Sequence, residues 1–401
     1  MDPVHNPFSP GAGSPPPAFI GRDALLAKAD IALQRIRIRR SEKSLILVGL
    51  RGVGKTVLLF RIRGRAEERG FRALMVEAAE DKPFPELILP YLRQILLSLD
   101  AMENISAKVK RALRVLKSFA SGFRLKCGEV ELGIEAEVGA ADSGDLEVDL
   151  GNLFEAIGEA ALDRDTAVAL CLDELQYLKE TDLSALIMAL HRVAQKRLPL
   201  ILFGAGLPQI VGKTCRSKTY AERLFEFPDI GPLVPEDAKE ALRGPARREG
   251  VAFTDAALEE IVRLAEGYPY FLQQWGYDTW NEARSTPIDL ATVRAASARA
   301  IQGLDESFFR VRFDRLTPRE KVYLRVMAEG GAGLQRSGDI AGRMGVRVTS
   351  LAPLRSSLIQ KGMIYSPSFG DNAFTVPLFD AYLRRVMPLP ARQVRGGRPR
   401  P

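Results

Sequence analysis

The segment Gly49-Leu50-Arg51-Gly52-Val53-Gly54-Lys55-Thr56 has the spacing that phosphate chemistry needs, G-x-x-x-x-G-K-[ST]. In such a loop the glycines let backbone N–H groups converge on phosphate oxygens at a helix N-terminus, whose dipole also favours an anion. The Lys55 ammonium would bridge β- and γ-phosphate oxygens, and the Thr56 hydroxyl would ligate Mg²⁺. Gly49, Arg51, Gly52, Val53, Gly54 and the next residue, Val57, are expected nucleotide contacts as well. Further on, the apolar run Val168-Ala169-Leu170-Cys171-Leu172 ends in Asp173-Glu174. Two acids at the end of a buried strand stand where nucleotides bind in open α/β sheets. Asp173 would hold the Mg²⁺ shell, and Glu174 would orient and polarise an attacking water. The expected cofactors are therefore ATP and Mg²⁺.

These residues need strands and helices to hold them. Ser44 to Val48 is a short continuous apolar run, as a buried parallel strand requires, and Thr56 to Glu68 follows with helical spacing. Further strands are expected at Ala73–Val76, Val168–Leu172, Pro199–Phe203 and Leu224–Phe227, with helices between them. Such alternation predicts a P-loop NTPase core, an α/β domain with a parallel sheet, in the branch with an extra strand between the two motifs. Within it, residues 101–150 read as an insertion: a basic helix from Ser106 to Phe119, then a β-hairpin over Phe123–Glu137 turning at Gly128. After Pro232 the strands stop. Helical patterns at Glu236–Arg248, Asp255–Ala265, Tyr270–Glu282 and Leu290–Gly303 form an all-helical lid. The expected organisation is a Pro-rich irregular arm (1–18), the ATPase core (19–232), the lid (233–305), a C-terminal module (311–390) and a basic tail (391–401).

The segment Phe19-Ile20-Gly21-Arg22-Asp23, ahead of the glycine loop, resembles a signature shared by two groups. One is the origin-recognition initiator ATPases of the AAA+ class; the other is the STAND ATPases, which are signalling switches. The resemblance implies that Phe19, Ile20 and Gly21 line the adenine pocket. Gly267-Tyr268-Pro269 resembles the G-x-P motif of STAND proteins, which implies that Pro269 touches the nucleotide. The same three residues also read as plain helix punctuation, Gly closing one helix and Pro opening the next. Arg223 occupies the place of the initiators' arginine finger, which implies ATP-dependent self-association; a solvated arginine is the alternative. Two departures bear on catalysis. Initiator-type ATPases carry a polar residue at the end of the fourth strand, where this chain has Phe203-Gly204-Ala205-Gly206. No arginine takes the usual second sensor position in the lid, and Gln273 is the nearest polar candidate. Without those groups turnover is expected to be slow, as in a switch rather than a motor. Leu25 also replaces a second acid usual in STAND proteins.

Beyond Leu316 the texture changes. Thr317-Pro318-Arg319-Glu320 is a capping box with Pro at the first helical position. A short helix spans Ser337–Met344, and a third spans Thr349–Lys361 with Leu351, Leu354 and Leu358 inward. Ile364–Ser366 and Ala373–Val376 then flank Gly370-Asp371 as a hairpin. This order predicts a winged helix, whose third helix would enter the major groove of double-stranded DNA with Arg347, Arg355 and Lys361 as contacts. From Arg312 onward there are 16 Lys/Arg against 6 Asp/Glu in a chain of net charge +7, so the basic excess is C-terminal. That favours DNA. The alternative is a STAND-like regulatory ATPase whose winged helix docks a protein partner, with a plain housekeeping NTPase as a third reading.

Composition sets the outer bounds. At 46% hydrophobic and 27% charged residues there is ample material for a core. No apolar run approaches a membrane span and the N-terminus lacks a secretory pattern, so a cytoplasmic location is expected. Cys127, Cys171 and Cys215 have no metal-ligand spacing, and Cys171 reads as a small buried hydrophobe.

Overall fold

The computed structural model describes residues 1–11, 16–100, 106–125, 135–218 and 221–388. Five parallel strands form the central sheet: β1 Ser44–Val48, β2 Phe71–Glu77, β3 Ala167–Asp173, β4 Leu200–Gly206 and β5 Phe225–Glu226, in the spatial order β2-β3-β4-β1-β5. Residues of β1, β3 and β4 are buried throughout. Helices cover both faces, so these strands read as unbroken apolar runs rather than as alternation. The two phosphate motifs follow β1 and β3, and the strand lying between those two in space is β4. β2, which lies between the motifs in sequence, forms the sheet edge.

Side chains alternate faces along each strand. Ile46, Val48, Val168, Leu170, Leu172, Leu200 and Leu202 join one apolar cluster with α3 (Phe84–Asp100), α4 (Ala107–Gly122), α5 (Leu146–Asp163) and α6 (Glu180–Gln195). The intervening residues, among them Leu45, Leu47, Cys171 and Phe203, are equally buried but lie outside that cluster. α1 (Asp23–Arg37) and α2 (Lys55–Glu68) pack against each other, and both contact the sheet. α4 begins in the segment read as an insertion, yet its Val109, Ala112, Val115, Leu116 and Phe119 are core residues. Helix α4 is therefore integral to this layer. The expected hairpin over Phe123–Glu137 lies largely on 126–134, outside the described residues; Phe123 itself caps α4. Cys127 falls there too. Burial pushes the Cys171 thiol up to about 12, which keeps it an inert apolar side chain.

After β4 come α7 (Gln209–Ser217) and the four-residue α8 (Ala221–Leu224), and the lid follows β5 as α9 Pro235–Arg248, α10 Asp255–Ala265, α11 Pro269–Glu282 and α12 Leu290–Leu304. The N-terminal arm, expected to be irregular, is seated on the lid. Phe8 is buried edge-on against Phe253 and Trp280, over Gly276, where any side chain would collide with its ring. Trp280 Nε1 donates to the Asp2 carbonyl at 3.0 Å, and Asn6 Nδ2 to the Tyr277 carbonyl at 3.0 Å. A single aromatic anchor and side-chain donors to backbone carbonyls hold residues 1–11 there, which composition alone cannot reveal.

Two compact units divide the chain, Met1–Ala298 and Arg299–Pro401. The second contains α13 Arg310–Asp314, α14 Pro318–Ala328, β6 Gln335–Arg336, α15 Ser337–Met344, α16 Val348–Gln360, β7 Ile364–Tyr365, β8 Asp371–Phe374 and α17 Phe379–Val386. β6, which the sequence did not suggest, joins the hairpin in an antiparallel sheet of order β6-β8-β7. The capping box is formed, with Thr317 and Glu320 exchanging hydrogen bonds. Leu351 and Leu358 are buried as expected, and Leu354 is half-buried. The basic tail lies outside the described residues.

Candidate nucleotide-binding site

The glycine loop runs from the C-terminal end of β1 to the first turn of α2. Its backbone explains its composition. Gly52 and Gly54 have φ of 82° and 92°, the left-handed region that side chains disfavour. At Gly49 a Cβ would stand 2.3 Å from the Ile230 carbonyl oxygen, so only glycine lets the chain pass. Gly49 N–H also donates to the Gly206 carbonyl at 3.3 Å, tying the loop to the end of β4.

Lys55 folds back into the loop, donating from Nζ to the Gly49 and Leu50 carbonyls at 2.9 Å each. Burial pushes its ammonium down to about 8, against the pull of Glu174 and Asp173. Across the sheet, Thr56 Oγ1 donates to Asp173 Oδ2 at 2.6 Å. Asp173 is only 3% exposed, and burial pushes its carboxyl up, opposed first by the Thr56 bond. A hydroxyl and a desolvated carboxylate meeting at one point are hard oxygen donors, the set Mg²⁺ uses beside phosphates. These residues fit Mg²⁺.

Glu174 stands next to this pair in a left-handed backbone conformation, φ 53°. For a non-glycine residue that costs about 1–2 kcal/mol, and such strain gathers at functional positions. Its two carboxylate oxygens have different partners. Oε1 accepts from Arg51 Nη1 at 3.4 Å, and Oε2 accepts from Gln176 Nε2. Arg51 in turn donates to the Tyr177 hydroxyl at 2.8 Å. Glu77, opposite Asp173 in the β2–β3 register, is a third acid here; burial and then the two neighbouring carboxylates push its carboxyl up. Sequence reasoning missed Glu77, Gln176 and Tyr177. The β-register places the first. A short 3₁₀ turn, Leu175–Tyr177, folds the other two back over the site.

The base-pocket candidates converge less directly. Gly21 (φ 73°) passes so close to the lid that a Cβ would meet Asp237 Oδ2 at 2.5 Å. Arg22 donates to the Gly231 and Val53 carbonyls, bracing the segment before the lid against the glycine loop. Phe19 and Ile20 are half-buried, with the Arg61 guanidinium 5.5 Å from the Phe19 ring centre. Pro269 opens α11, and the next residue, Tyr270, donates its N–H to the Gly52 carbonyl at 3.3 Å, so this turn touches the glycine loop. Gln273 faces the arm instead, accepting from Ser9 N–H at 3.2 Å. Arg223, in α8, is exposed at the opposite end of the sheet, since Phe225 pairs with the first residue of β1. One five-residue strand separates those ends, about 16 Å, beyond reach of this chain's own glycine loop.

Residues 18–203 match the family described as the AAA ATPase domain, and residues 306–383 match a domain of unknown function. No curated protein matches the chain. Among solved structures, the Walker-type ATPase of Pyrococcus abyssi is similar over 91% of this chain and 96% of its own, at 18% identity and a TM-score of 0.53. The Aeropyrum pernix Orc1 protein in complex with DNA is similar at 16% identity and TM-score 0.47, over 92% of this chain and 93% of its own. The Thermotoga maritima RuvB Holliday junction branch migration motor follows at 15% and 0.45, over 93% and 97%. The last two likenesses are too loose to carry an argument. The family match agrees with the parallel sheet and with both phosphate motifs: residues 18–203 form a P-loop ATPase domain of the AAA type, as the resemblance to initiator-type ATPases implied.

Proposed function

We propose that this chain is a slow, nucleotide-switched ATPase that binds double-stranded DNA through a winged helix in its C-terminal unit. The observation that carries the nucleotide half is the 2.6 Å meeting of Thr56 and Asp173 beside a buried Lys55. When bound, Mg²⁺ supplies positive charge at the β- and γ-phosphate oxygens. The backbone of residues 49–56 cradles the phosphates, and Lys55 transfers its hydrogen bonds from loop carbonyls to phosphate oxygens. Glu174 orients a water for in-line attack and takes up its proton. Phe19, Ile20 and Gly21 line the base, and Pro269 carries nucleotide contact into the lid. Arg223, out of reach of its own site, acts on a neighbour's nucleotide when chains assemble.

For the C-terminal unit, the order helix–strand–helix–helix–hairpin supports the winged-helix reading. α16 carries no acidic residue, and the exposed Arg347 stands at its N-terminus, where phosphates are favoured. One observation favours the alternative of a protein-docking module. Arg355 and Lys361, expected to contact DNA, are bonded within the unit, while apolar Val346, Val348 and Phe369 are exposed. The test is fluorescence anisotropy of labelled duplex DNA at low and moderate salt, with ATP·Mg²⁺ and then ADP·Mg²⁺. Tighter binding with ATP is expected. No binding in either state at low salt would remove the DNA reading and leave a protein partner.

A further inference from the structure

The fourth strand ends in Gly204-Ala205-Gly206, without the polar side chain that initiator-type ATPases place there. Space at that point is not open, however. A Cβ built on Gly206 would stand 3.1 Å from Gln176 Oε1. The Gln176 side chain, 7% exposed, reaches in from the 3₁₀ turn after β3. Its Oε1 accepts the Leu207 N–H, the first backbone donor after β4, at 3.0 Å. Its Nε2 donates to Glu174 Oε2. The main chain around it is fixed as well, since Lys213 Nζ donates to the Gln176 carbonyl at 3.0 Å. The amide thus links the end of β4 to the carboxylate expected to hold the attacking water. The next link, Gly206 O to Gly49 N–H, reaches the glycine loop.

We infer that Gln176 is a positioning residue that takes over, from the β3 side, the role of the polar residue missing from the end of β4. A side-chain amide has one acceptor and two donors on its NH₂. The acceptor is fixed by Leu207, so the NH₂ must point at the Glu174 carboxylate, and one of its two hydrogens binds Oε2. That leaves the Glu174 carboxylate a defined rotation and the NH₂ a second hydrogen for the water or the γ-phosphate. A side chain at Gly206 would crowd this amide, and would also meet the Ile210 side chain at 3.3 Å. Gln176 acts through Glu174, so its loss should reduce turnover without reducing nucleotide affinity. The inference rests on the ATPase reading above and deepens it.

The test measures kcat, KM and ATP affinity for the wild type and for Glu174→Gln, Gln176→Ala, Gln176→Asn and Gln176→Ala with Gly206→Ser, with melting temperature as a control. For Gln176→Ala, kcat should fall about 10- to 100-fold with ATP affinity within about twofold, the size typical of losing a partner that orients a reacting group from behind. Gln176→Asn, one methylene too short to span both partners, should behave similarly. Adding Gly206→Ser puts a hydroxyl at the end of β4, in the space the amide has left, and should recover several-fold of the lost kcat. Unchanged kcat in Gln176→Ala, while Glu174→Gln abolishes turnover, would overturn the inference and leave the ATPase reading standing. Parallel loss of kcat, ATP affinity and melting temperature, with no recovery in the double variant, would also overturn it, making Gln176 purely structural. A wild type that binds ATP without turning it over would overturn both.

Discussion

The two units use their basic residues in opposite ways. In the ATPase domain, the cations singled out by motif lie at the site: Lys55 sits inside the glycine loop, and Arg51 reaches Glu174 and Tyr177. In the C-terminal unit, two of the three cations expected to contact DNA are hydrogen-bonded within the fold. Arg355 donates to Asn372 Oδ1 and Ser366 Oγ at 2.6 Å each and to the Asp371 carbonyl at 3.2 Å, bracing α16 against the hairpin. Lys361 donates at 2.8 Å to Glu320, the capping-box glutamate, which is 2% exposed. The lesson concerns what a motif encodes. A glycine loop specifies backbone geometry along with its lysine, so the lysine's surroundings are fixed with it. A basic residue on a helix specifies only a charge, and that charge goes to whichever acceptors folding leaves beside it: a buried carboxylate for Lys361, neutral oxygens for Arg355.

That contrast breaks first at the two lysines. Lys55→Ala should weaken ATP binding by about 100-fold or more, the loss of charged hydrogen bonds to phosphate. Lys361→Ala should leave ATP affinity unchanged and destabilise the C-terminal unit by about 1.5–3 kcal/mol, because the buried Glu320 carboxylate loses its cation and keeps only the Ser357 and Thr317 donors. Calorimetric titration with ATP and denaturant unfolding read the two effects. If Lys55→Ala kept its affinity, or Lys361→Ala its stability, the division of labour would be wrong.

Acid titration of the C-terminal unit sharpens the same point. Burial alone would raise the Glu320 carboxyl. The Lys361 ammonium, the Ser357 hydroxyl and the Thr317 cap overcome it and hold the group down to about 2. A depressed carboxyl stabilises the fold fully above its unfolded value near 4.5, and that stability is lost as pH falls from there toward 2. The stability of the chain with Glu320→Gln should therefore be lower at neutral pH, and flatter between pH 5 and about 2, than that of the wild type. Equal slopes would remove Glu320 from the fold's acid sensitivity.

The smallest expected effect separates Arg347 from Arg355. If DNA binding is confirmed, Arg347→Ala should weaken it only a few-fold and reduce the salt slope by about one, with stability unchanged. Arg355→Ala should lower stability by about 1–3 kcal/mol, since it leaves the buried Asn372 without its donor, and weaken DNA binding only through that loss. Reversed behaviour would return Arg355 to the DNA surface.

Among the described residues no helix is long and apolar enough to cross a membrane. Much else about the first unit was legible in residue order. The strands after which nucleotide motifs appear are unbroken apolar runs, and the lid helix Asp255–Ala265 falls where its periodicity put it. Such patterns are local consequences of burial and of the 3.6- and 2-residue repeats. The buried Phe8 of the arm was not legible, because its pocket is assembled from Phe253, Gly276 and Trp280, more than 240 residues away. The two-residue strand β6 was not legible either, being too short to show a period.

By itself the sequence determined the loop that can hold phosphates, the acids that face it and the kind of sheet that brings them together. Each of these depends on residue types at fixed short spacings, and backbone geometry turns such spacings directly into positions. Tertiary structure alone decided which side chains surround the acids. Gln176 reaches Glu174 through a left-handed turn, Glu77 stands opposite Asp173 by strand register, and Lys361 is drawn to a buried carboxylate 41 residues away. Partners of that kind are chosen by whichever polar groups folding leaves desolvated side by side, and even Gln176, two residues from Glu174, is brought to it only by the turn between them.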